Sequence, residues 1–425
     1  MSPTAFRFVH ASDLHLDVPF QGLCRASPAV TQVLSEAPLA AWDALVQLAI
    51  DHQAAFLLLA GDICDGAERA VRAQLRFLGG LQRLSEHGIR TFIVLGDDDP
   101  AERWTGIHQW PDGVECFGCD NVRSVAVSMA GERVATIYGI SHSADHATQN
   151  RVPHFRRGSE PGIHIGLLHA RVGSPDSVVP WDSRSMDDLQ AAGMDYWALG
   201  HDHRHQRLSA GHPWMVYPGT LQGRSLNCDE TGPKGAVVVD VANGVVRDAK
   251  FHALDSVRLM TVETDLSTLA GPPVLRRALL ESAIRLRHEH TGHNLIVRAI
   301  LRGRGEAHTD VQRIEGLWEP LLEELRKEDV GVDTFVWWDS VLDITEATVD
   351  RETIRNQNDI SAQLLALVDT LRRAPETLDR FLADQVAPHA GPGVPPGQPA
   401  LDSAEVEELL TRAERLALNL LENEQ

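Results

Sequence analysis

An α/β fold with a two-layered sheet core, followed by a smaller α+β unit and a helical C-terminal region, is what this 425-residue sequence predicts. Three observations carry that expectation. Short apolar runs alternate with helical stretches through the first half of the chain, as parallel strands and their crossovers do. Five of those runs end in carboxylates or imidazoles, and side chains at the carboxyl ends of parallel strands converge on one crevice. Later strands come as hairpins, so antiparallel pairs follow parallel ones, which a simple doubly wound sheet does not contain.

The five runs are FRFVHAS (6–12), FLLLAGD (56–62), TFIVLGD (91–97), HIGLLHA (164–170) and YWALGHD (196–202). Helices are expected around 39–52 and 67–87, the second stopping at Gly88. VRSVAVSMAG and ERVATIYGI read as a hairpin, WMVYPG as a strand, and GAVVVDVANGVVRDAKFHAL as a second hairpin turning at Asn243-Gly244. Residues 1–252 therefore form the first domain. In residues 253–345, LMTVETDL and NLIVRAILRG read as strands, and VLRRALLESAIRLRHEH and VQRIEGLWEPLLEELRKE as helices, giving a small α+β domain. The Trp337-Trp338 pair fits packing against a neighbouring domain better than stacking on bases.

Residues 346–386 read as helical, and APHAGPGVPPGQPA at 387–400 as a linker that holds no helix. Asp402 and Glu405 have capping-box spacing before a last helix within 401–425. Its stripe of Val406, Leu409, Leu410, Ala413, Leu416, Ala417, Leu420 and Leu421 either folds back on the chain or docks on a partner.

Composition bounds the function. No apolar stretch reads as long enough to span a bilayer, and MSPTAFRFVHAS lacks the apolar segment of a signal peptide, so the cytoplasm is the expected location. Five cysteines fit reduced thiols better than a disulfide framework; Cys116 and Cys119 have redox or zinc spacing but no second pair. The net charge of −21 opposes non-specific DNA binding. A DNA enzyme of this charge needs metal ions in its site and a partner that supplies part of the grip.

The chemistry-bearing residues are Asp13 and His15, Asp62, Asp97, His169, and His201 and His203. Two divalent ions about 3.5–4 Å apart can clamp a phosphoryl group and activate a water, given one bridging carboxylate and nitrogen and oxygen ligands around each ion. Asp62 suits the bridge, because the glycine before it lets the strand turn sharply. Asp13 and His15, two apart, face the same side and with His203 suit the first ion; His169, Asp97 and His201 suit the second. Mixed imidazole and carboxylate donors favour manganese, iron or zinc over magnesium. Of the 20 histidines, His10, His52, His87, His108 and His288 read as ordinary core or surface residues.

Asp-x-His, Gly-Asp, a Gly-Asn-His-Asp-like segment, His and Gly-His-x-His, in that order across residues 6–220, resemble the calcineurin-like metallophosphoesterases. FVHASDLHLDVPFQGL and YPGTLQGRSLNCDETGPKGAVVVDV look like the bacterial DNA repair exonuclease branch, with its SbcD-like and YhaO-like nuclease subunits. The resemblance implies a four-layer α/β/β/α sandwich, a small capping domain, and a manganese-dependent DNA nuclease. It also implies C-terminal helices that bind an SMC-like ATPase, and a homodimer.

One motif departs from the family. Where the family has Asn, His and Asp, this chain has Asp97, Asp98 and Asp99. Asp97 keeps an oxygen ligand. Asp98 replaces a histidine that in the family lies near the phosphate and assists the leaving group, so intact metal binding with attenuated nuclease chemistry is expected. His142 and His154 are candidate replacements for that imidazole. DNA contacts are sought among Arg7, Arg156, Arg157, Arg204, Arg207, Arg224 and Lys234, with Arg224 and Lys234 first because they lie nearest the family-like segment. The alternatives are a small-phosphoester or cyclic-nucleotide phosphodiesterase, and a non-catalytic metal-binding scaffold.

Overall fold

The computed structural model describes residues 5–21, 27–65, 71–100, 109–143, 150–173, 186–209, 211–269, 272–303, 316–327, 334–345, 354–356 and 359–373, and six positions between 410 and 418. The linker at 387–400 and the capping pair Asp402 and Glu405 lie outside the described residues. The chain divides into two compact units, Met1–Val262 with Ala283–Arg298 and Glu324–Ser340, and Glu263–Ser282 with Ala299–Glu323 and Val341–Gln425.

Two six-stranded sheets build the first unit. In the first sheet, β1 (Ala5–Ala11), β2 (Phe56–Ala60), β3 (Arg90–Val94) and β4 (Val114–Cys116) run parallel. In the second, β5 (Arg123–Met129) pairs antiparallel with β6 (Glu132–Ile140), which runs parallel to β7 (Ile163–His169) and β8 (Tyr196–Gly200). That sheet ends with β9 (Gln206–Arg207) and β10 (Trp214–Tyr217), in the order β5-β6-β7-β8-β10-β9. The hairpin of β11 (Gly235–Ala242) and β12 (Val245–Ala253) returns to the first sheet, giving β12-β11-β1-β2-β3-β4 with β11 antiparallel to β1.

Alternation along the strands sorts side chains onto two faces. Phe6, Phe8, Phe56, Leu58 and Phe92 of the first sheet meet Ile137, Ile165, Leu167, Tyr196 and Val216 of the second. On the other face of the first sheet, Val9, Leu57, Leu59 and Ile93 pack with Trp42, Leu45, Phe77 and Leu81 of helices α1 (Pro28–Asp51) and α2 (Val71–Glu86). On the far side of the second sheet, Trp197, Leu199 and Met215 pack with Leu189 of α3 (Met186–Ala191) and with Val152 and Phe155. The result is the four-layer α/β/β/α sandwich. Strands covered on both faces read as unbroken apolar runs, which is why they were visible in the sequence.

Helix α1 starts eleven residues before the expected 39. Ser27 caps it, its hydroxyl accepting from the Val30 amide at 3.3 Å, and Pro28 occupies the first turn. Its 24 residues, with a mean hydropathy of 1.3 over the most apolar window, also correct the expectation that no segment is long and apolar enough for a bilayer. In the fold, half of that window is buried, with Trp42, Leu45, Val46 and Ala49 fully covered, as in a core helix. Of the described cysteines, Cys64, Cys116, Cys119 and Cys228 are free thiols; burial, with Asp99 and Glu115 nearby, pushes Cys116 up to about 12.

The strands β13 (Val257–Asp265), β14 (Asn294–Arg302) and β15 (Val336–Asp343) form a third sheet in that order. The helices α4 (Pro272–Glu289) and α5 (Trp318–Lys327) fall in the expected helical stretches, and α6 (Ile360–Arg373) in the helical region. Strand β15 was read only as a junction. It buries Trp338, and the Arg326 guanidinium covers the Trp337 ring at 4.6 Å, so both rings serve packing.

His10 is a core histidine, fully buried between the two main sheets with its Nδ1 3.1 Å from the Tyr196 hydroxyl. Burial pulls its pKa down to about 3, against the Leu199 carbonyl, which raises it. Between the ordinary value of 6.5 and about 3 the unfolded chain takes up this proton first, so folding stability falls as pH drops through that window. His10→Gln removes the linkage. Urea unfolding from pH 8 to pH 4 is expected to show a stability difference from the native chain that is constant above pH 7 and moves in favour of the variant below about 6.5.

Candidate metal centre

The parallel strands of the two mixed sheets deliver their ends to one place. After β1 the backbone turns left-handed at Asp13 (φ 52) and His15 (φ 44), held by Asp13 N–H donating to the Gly61 carbonyl and His15 N–H to that of Asp62, each at 3.0 Å. After β2, Asp62 is left-handed too (φ 51), and after β8 so is His201 (φ 102). Left-handed non-glycine residues cost of order 1–3 kcal/mol each and gather at functional sites. Two glycines make the approach feasible. A Cβ on Gly61 would run into the His169 ring, and one on Gly96 into the Asp62 carboxylate. The Gly-Asp pairs are thus a packing requirement for bringing a carboxylate and an imidazole together.

All seven sequence-predicted metal residues come together. Donor atoms of Asp13, His15 and His203 lie within 4.8 Å of one another, as do those of Asp97, His169 and His201. Asp62 lies between: its donors group with Asp13 and His169, and with His15 and Asp98. His169 Nε2 is 2.7 Å from Asp97 and 3.3 Å from Asp62, and His201 Nδ1 is 3.2 Å from Asp97. His15 Nε2 and His203 Nε2 face each other at 3.3 Å.

Hydrogen bonding at the other ring nitrogens says what this arrangement wants. His169 Nδ1 lies 2.8 Å from the Ala60 carbonyl, which can only accept, so that nitrogen carries a proton and Nε2, facing two carboxylates, is the atom that takes either a second proton or a cation. His15 Nδ1 contacts Asp65 at 2.5 Å and His203 Nδ1 contacts Glu230 at 2.6 Å, which leaves Nε2 of both rings aimed at the same point. Imidazoles and carboxylates converging in this way repel unless protons or cations lie between them, and His169 and His203 accordingly hold protons more tightly than a free imidazole. The donor set fits divalent ions.

The charges respond accordingly. Burial raises the Asp13 carboxyl against the pull of His169. Asp62 is held down at about 2, because His169 and His15 outweigh its burial. Asp97 sits well below the usual carboxylate range, its burial overcome by His169 and His201. His169 is raised well above its ordinary value, as Asp62, Asp97 and Asp13 overcome its burial.

The three-aspartate segment splits into distinct roles. Asp97 joins the donor group. Asp98, half exposed, lines the cleft, and its carboxylate lies 3.9 Å from His15. Asp99 is buried and points inward, accepting from the amides of Gly96 at 2.6 Å, Ile63 at 2.8 Å and Asp62 at 3.2 Å. Burial and the Asp62 charge push it up to about 8. It fastens the loop after β2 to the loop after β3.

The cleft above these groups holds about 400 Å³ and is lined by Asp62, Asp97, Asp98, Asp202, Asp229, His201 and His203, with Arg171, Arg204 and Gln206. Arg224 and Lys234, expected at a DNA surface, are buried at 8% and 4% exposure. Arg224 faces Glu230, and Lys234 donates to the carbonyl oxygens of His203, at 2.9 Å, and Asp229. Neither has a free face for a phosphate. Arg7 pairs with Asp240, Arg157 with Asp195, and the Arg207 guanidinium lies over Trp214 at 3.5 Å. Of the basic candidates, Arg204 alone lines the cleft, paired with Asp229 at 2.7 Å, and His142 and His154 do not line it.

Asp65, Glu230 and Arg171 escaped the sequence reading. Asp65 had a signal, standing three residues after Asp62 in the same turn. Glu230 had none, because its partner His203 lies 27 residues away. Asp99→Ala strands three amides, each worth about 1–3 kcal/mol when buried without a partner. Urea unfolding of the metal-stripped protein is expected to show a loss of at least about 3 kcal/mol; a loss under 1 kcal/mol would remove Asp99 from this role.

Comparison with known proteins agrees with this geometry. The family model for calcineurin-like phosphoesterases matches residues 6–205. The metallophosphoesterase YhaO of Bacillus subtilis is 33% identical over 335 residues, 79% of this chain and 80% of that protein. The DNA double-strand break repair protein Mre11 of Thermoplasma acidophilum is 28% identical over 52% of this chain, and that of Sulfurisphaera tokodaii 25% over 58%. The chain spans 60% and 62% of those two proteins. A sandwich of two sheets, seven donors at the strand ends and a similar relative matched along most of its length have one common account: the chain belongs to the calcineurin-like metallophosphoesterases.

Proposed function

We propose that this metallophosphoesterase is a two-metal DNA phosphodiesterase, the nuclease subunit of a DNA repair complex, with its chemistry attenuated at Asp98. The observation that carries the reading is a pair of donor groups with Asp62 within reach of members of both, at the floor of an open cleft. Asp13, His15 and His203 would hold one ion and Asp97, His169 and His201 the other, with Asp62 between them; manganese suits this mixture of donors. When bound, the ions supply Lewis acidity and an activated water. DNA as substrate is supported by the two Mre11 relatives, which are double-strand break repair proteins. An SMC-like ATPase bound through the C-terminal helices and a homodimer complete the proposal and rest on the sequence resemblance; a cytoplasmic location rests on the N-terminal sequence read above.

The chain's own residues explain the need for ions. Five aspartates line the cleft against Arg171 and Arg204, so a phosphodiester is repelled until cations offset them. Arg171 and Arg204 are both exposed there; Arg204 is paired with Asp229, and Tyr217 fixes the backbone around Arg171. The Tyr217 hydroxyl donates to the Ala170 carbonyl at 2.7 Å and accepts from the Val172 amide at 2.9 Å. Arg171 is placed to hold a phosphate oxygen. Asp98 carries no positive charge toward the phosphate, and its carboxyl is raised by burial and by Asp62.

The test is manganese-dependent cleavage of end-labelled linear duplex DNA, with Asp13→Ala and Asp98→His beside the native chain. Cleavage lost in Asp13→Ala and increased in Asp98→His is expected, the increase within the roughly 10²–10⁴ range of acid-base catalysis. A native chain that hydrolyses bis(p-nitrophenyl) phosphate or a cyclic nucleotide but not DNA would move the substrate to small phosphoesters. Metal binding with no turnover on any phosphodiester, even in Asp98→His, would make the chain a scaffold. Arg171→Ala should lower kcat/KM by roughly 10–100-fold, the worth of one charged hydrogen bond of about 1.5–3 kcal/mol, with partial recovery in Arg171→Lys. An unchanged kcat/KM would free Arg171 of that role.

A further inference from the structure

The two halves of the centre are supported differently. On the side of Asp97, His169 is oriented by a backbone carbonyl, and His201 by Asp97 itself. On the side of Asp13, each imidazole leans on a carboxylate of its own: His15 on Asp65 at 2.5 Å and His203 on Glu230 at 2.6 Å. Those carboxylates belong to segments 165 residues apart in sequence, and both face Arg224. Its guanidinium is 3.4 Å from Glu230 and 4.0 Å from Asp65, and its backbone amide donates to the second Glu230 oxygen at 2.9 Å. Arg224 is 8% exposed and Glu230 7%. Its carbonyl accepts from the Gln21 amide at 2.8 Å, which fixes the backbone.

We propose that Arg224 is a positioning residue that clasps Asp65 and Glu230 together, and through them holds His15 and His203 at the spacing one ion requires. The inference rests on the two-metal reading above and deepens it: the two ions depend on different supports, and only the one held by Asp13, His15 and His203 depends on Arg224. The charge balance explains why a cation belongs there. With neutral imidazoles at the ion, Asp65 and Glu230 are two carboxylates set back from it, and a buried arginine between them offsets their repulsion while matching both with one planar group. A carboxylate behind a ligating imidazole also makes it a stronger donor, and losing such support costs about 10–100-fold in metal affinity. Arg224 therefore acts on one ion through two other side chains and touches no substrate.

Manganese binding to the metal-stripped full chain tests this, by equilibrium dialysis and by electron paramagnetic resonance. The native chain should take two ions and show the spectrum of a coupled pair. Arg224→Met should keep one ion at native affinity and bind the other about 10–100-fold more weakly, so that an isolated six-line manganese signal appears at intermediate loading. Arg224→Lys should fall between, and Glu230→Gln should shift the same ion. Equal weakening of both ions would mean a general structural role and overturn the proposal, as would native-like binding of both ions by Arg224→Met. Should Arg224→Met fail to fold, Arg224→Lys and Glu230→Gln decide the matter, and native-like binding in both overturns it. A native chain that takes fewer than two ions would instead bring down the two-metal reading, and this inference with it.

Discussion

Crowding of like charge at the ends of the strands governs this molecule. Asp13, Asp62 and Asp99 are buried beside Asp97 and Asp98, and an uncompensated buried carboxylate is among the most expensive groups a protein can contain. Three devices contain that cost. His169 and His15 hold Asp62 ionised. Backbone amides satisfy Asp99, and burial beside Asp62 shifts it toward its neutral form. The remaining convergence of imidazoles and carboxylates suits divalent cations.

That constraint reaches into the fold. To bring carboxylates and imidazoles this close, the chain accepts left-handed backbone at Asp13, His15, Asp62 and His201, and gives up side chains at Gly61 and Gly96. The sandwich bears this strain because the loops hang from fully buried parallel strands and are tied to one another. Asp99 joins two of them, and hydrogen bonds from Asp13 and His15 to the Gly61 and Asp62 carbonyls join a third. The same rigidity lets outer groups such as Asp65, Glu230 and Arg224 orient the inner ones without touching a substrate.

The acidity of the chain and its proposed chemistry are reconciled at the same spot. In the proposed function, an acidic cleft would admit a phosphodiester poorly until cations are bound, so metal loading would be a condition of substrate binding as well as of hydrolysis. Basic residues that looked available in the sequence are mostly committed: Arg224 and Lys234 are buried in polar contacts, and Arg7 and Arg157 are in ion pairs. Little basic surface is left for a duplex among these residues.

The succession of strands along the chain, the seven candidate metal donors and the unusual Asp98 were all legible in the sequence. Strands buried on both faces are unbroken apolar runs, and a ligand at a strand end sits beside that run in sequence. The N-terminal start of α1 was missed although Ser27-Pro28 signals it, because polar residues in its first turns hid the apolar face. Strand β15 was hidden because its tryptophans read equally well as a junction. What only the tertiary structure decided are the partners: Asp65 with His15, Glu230 with His203, and Arg224 between them. Local sequence determines which way a side chain leaves its strand; it carries no distance between residues that meet only after both sheets have closed.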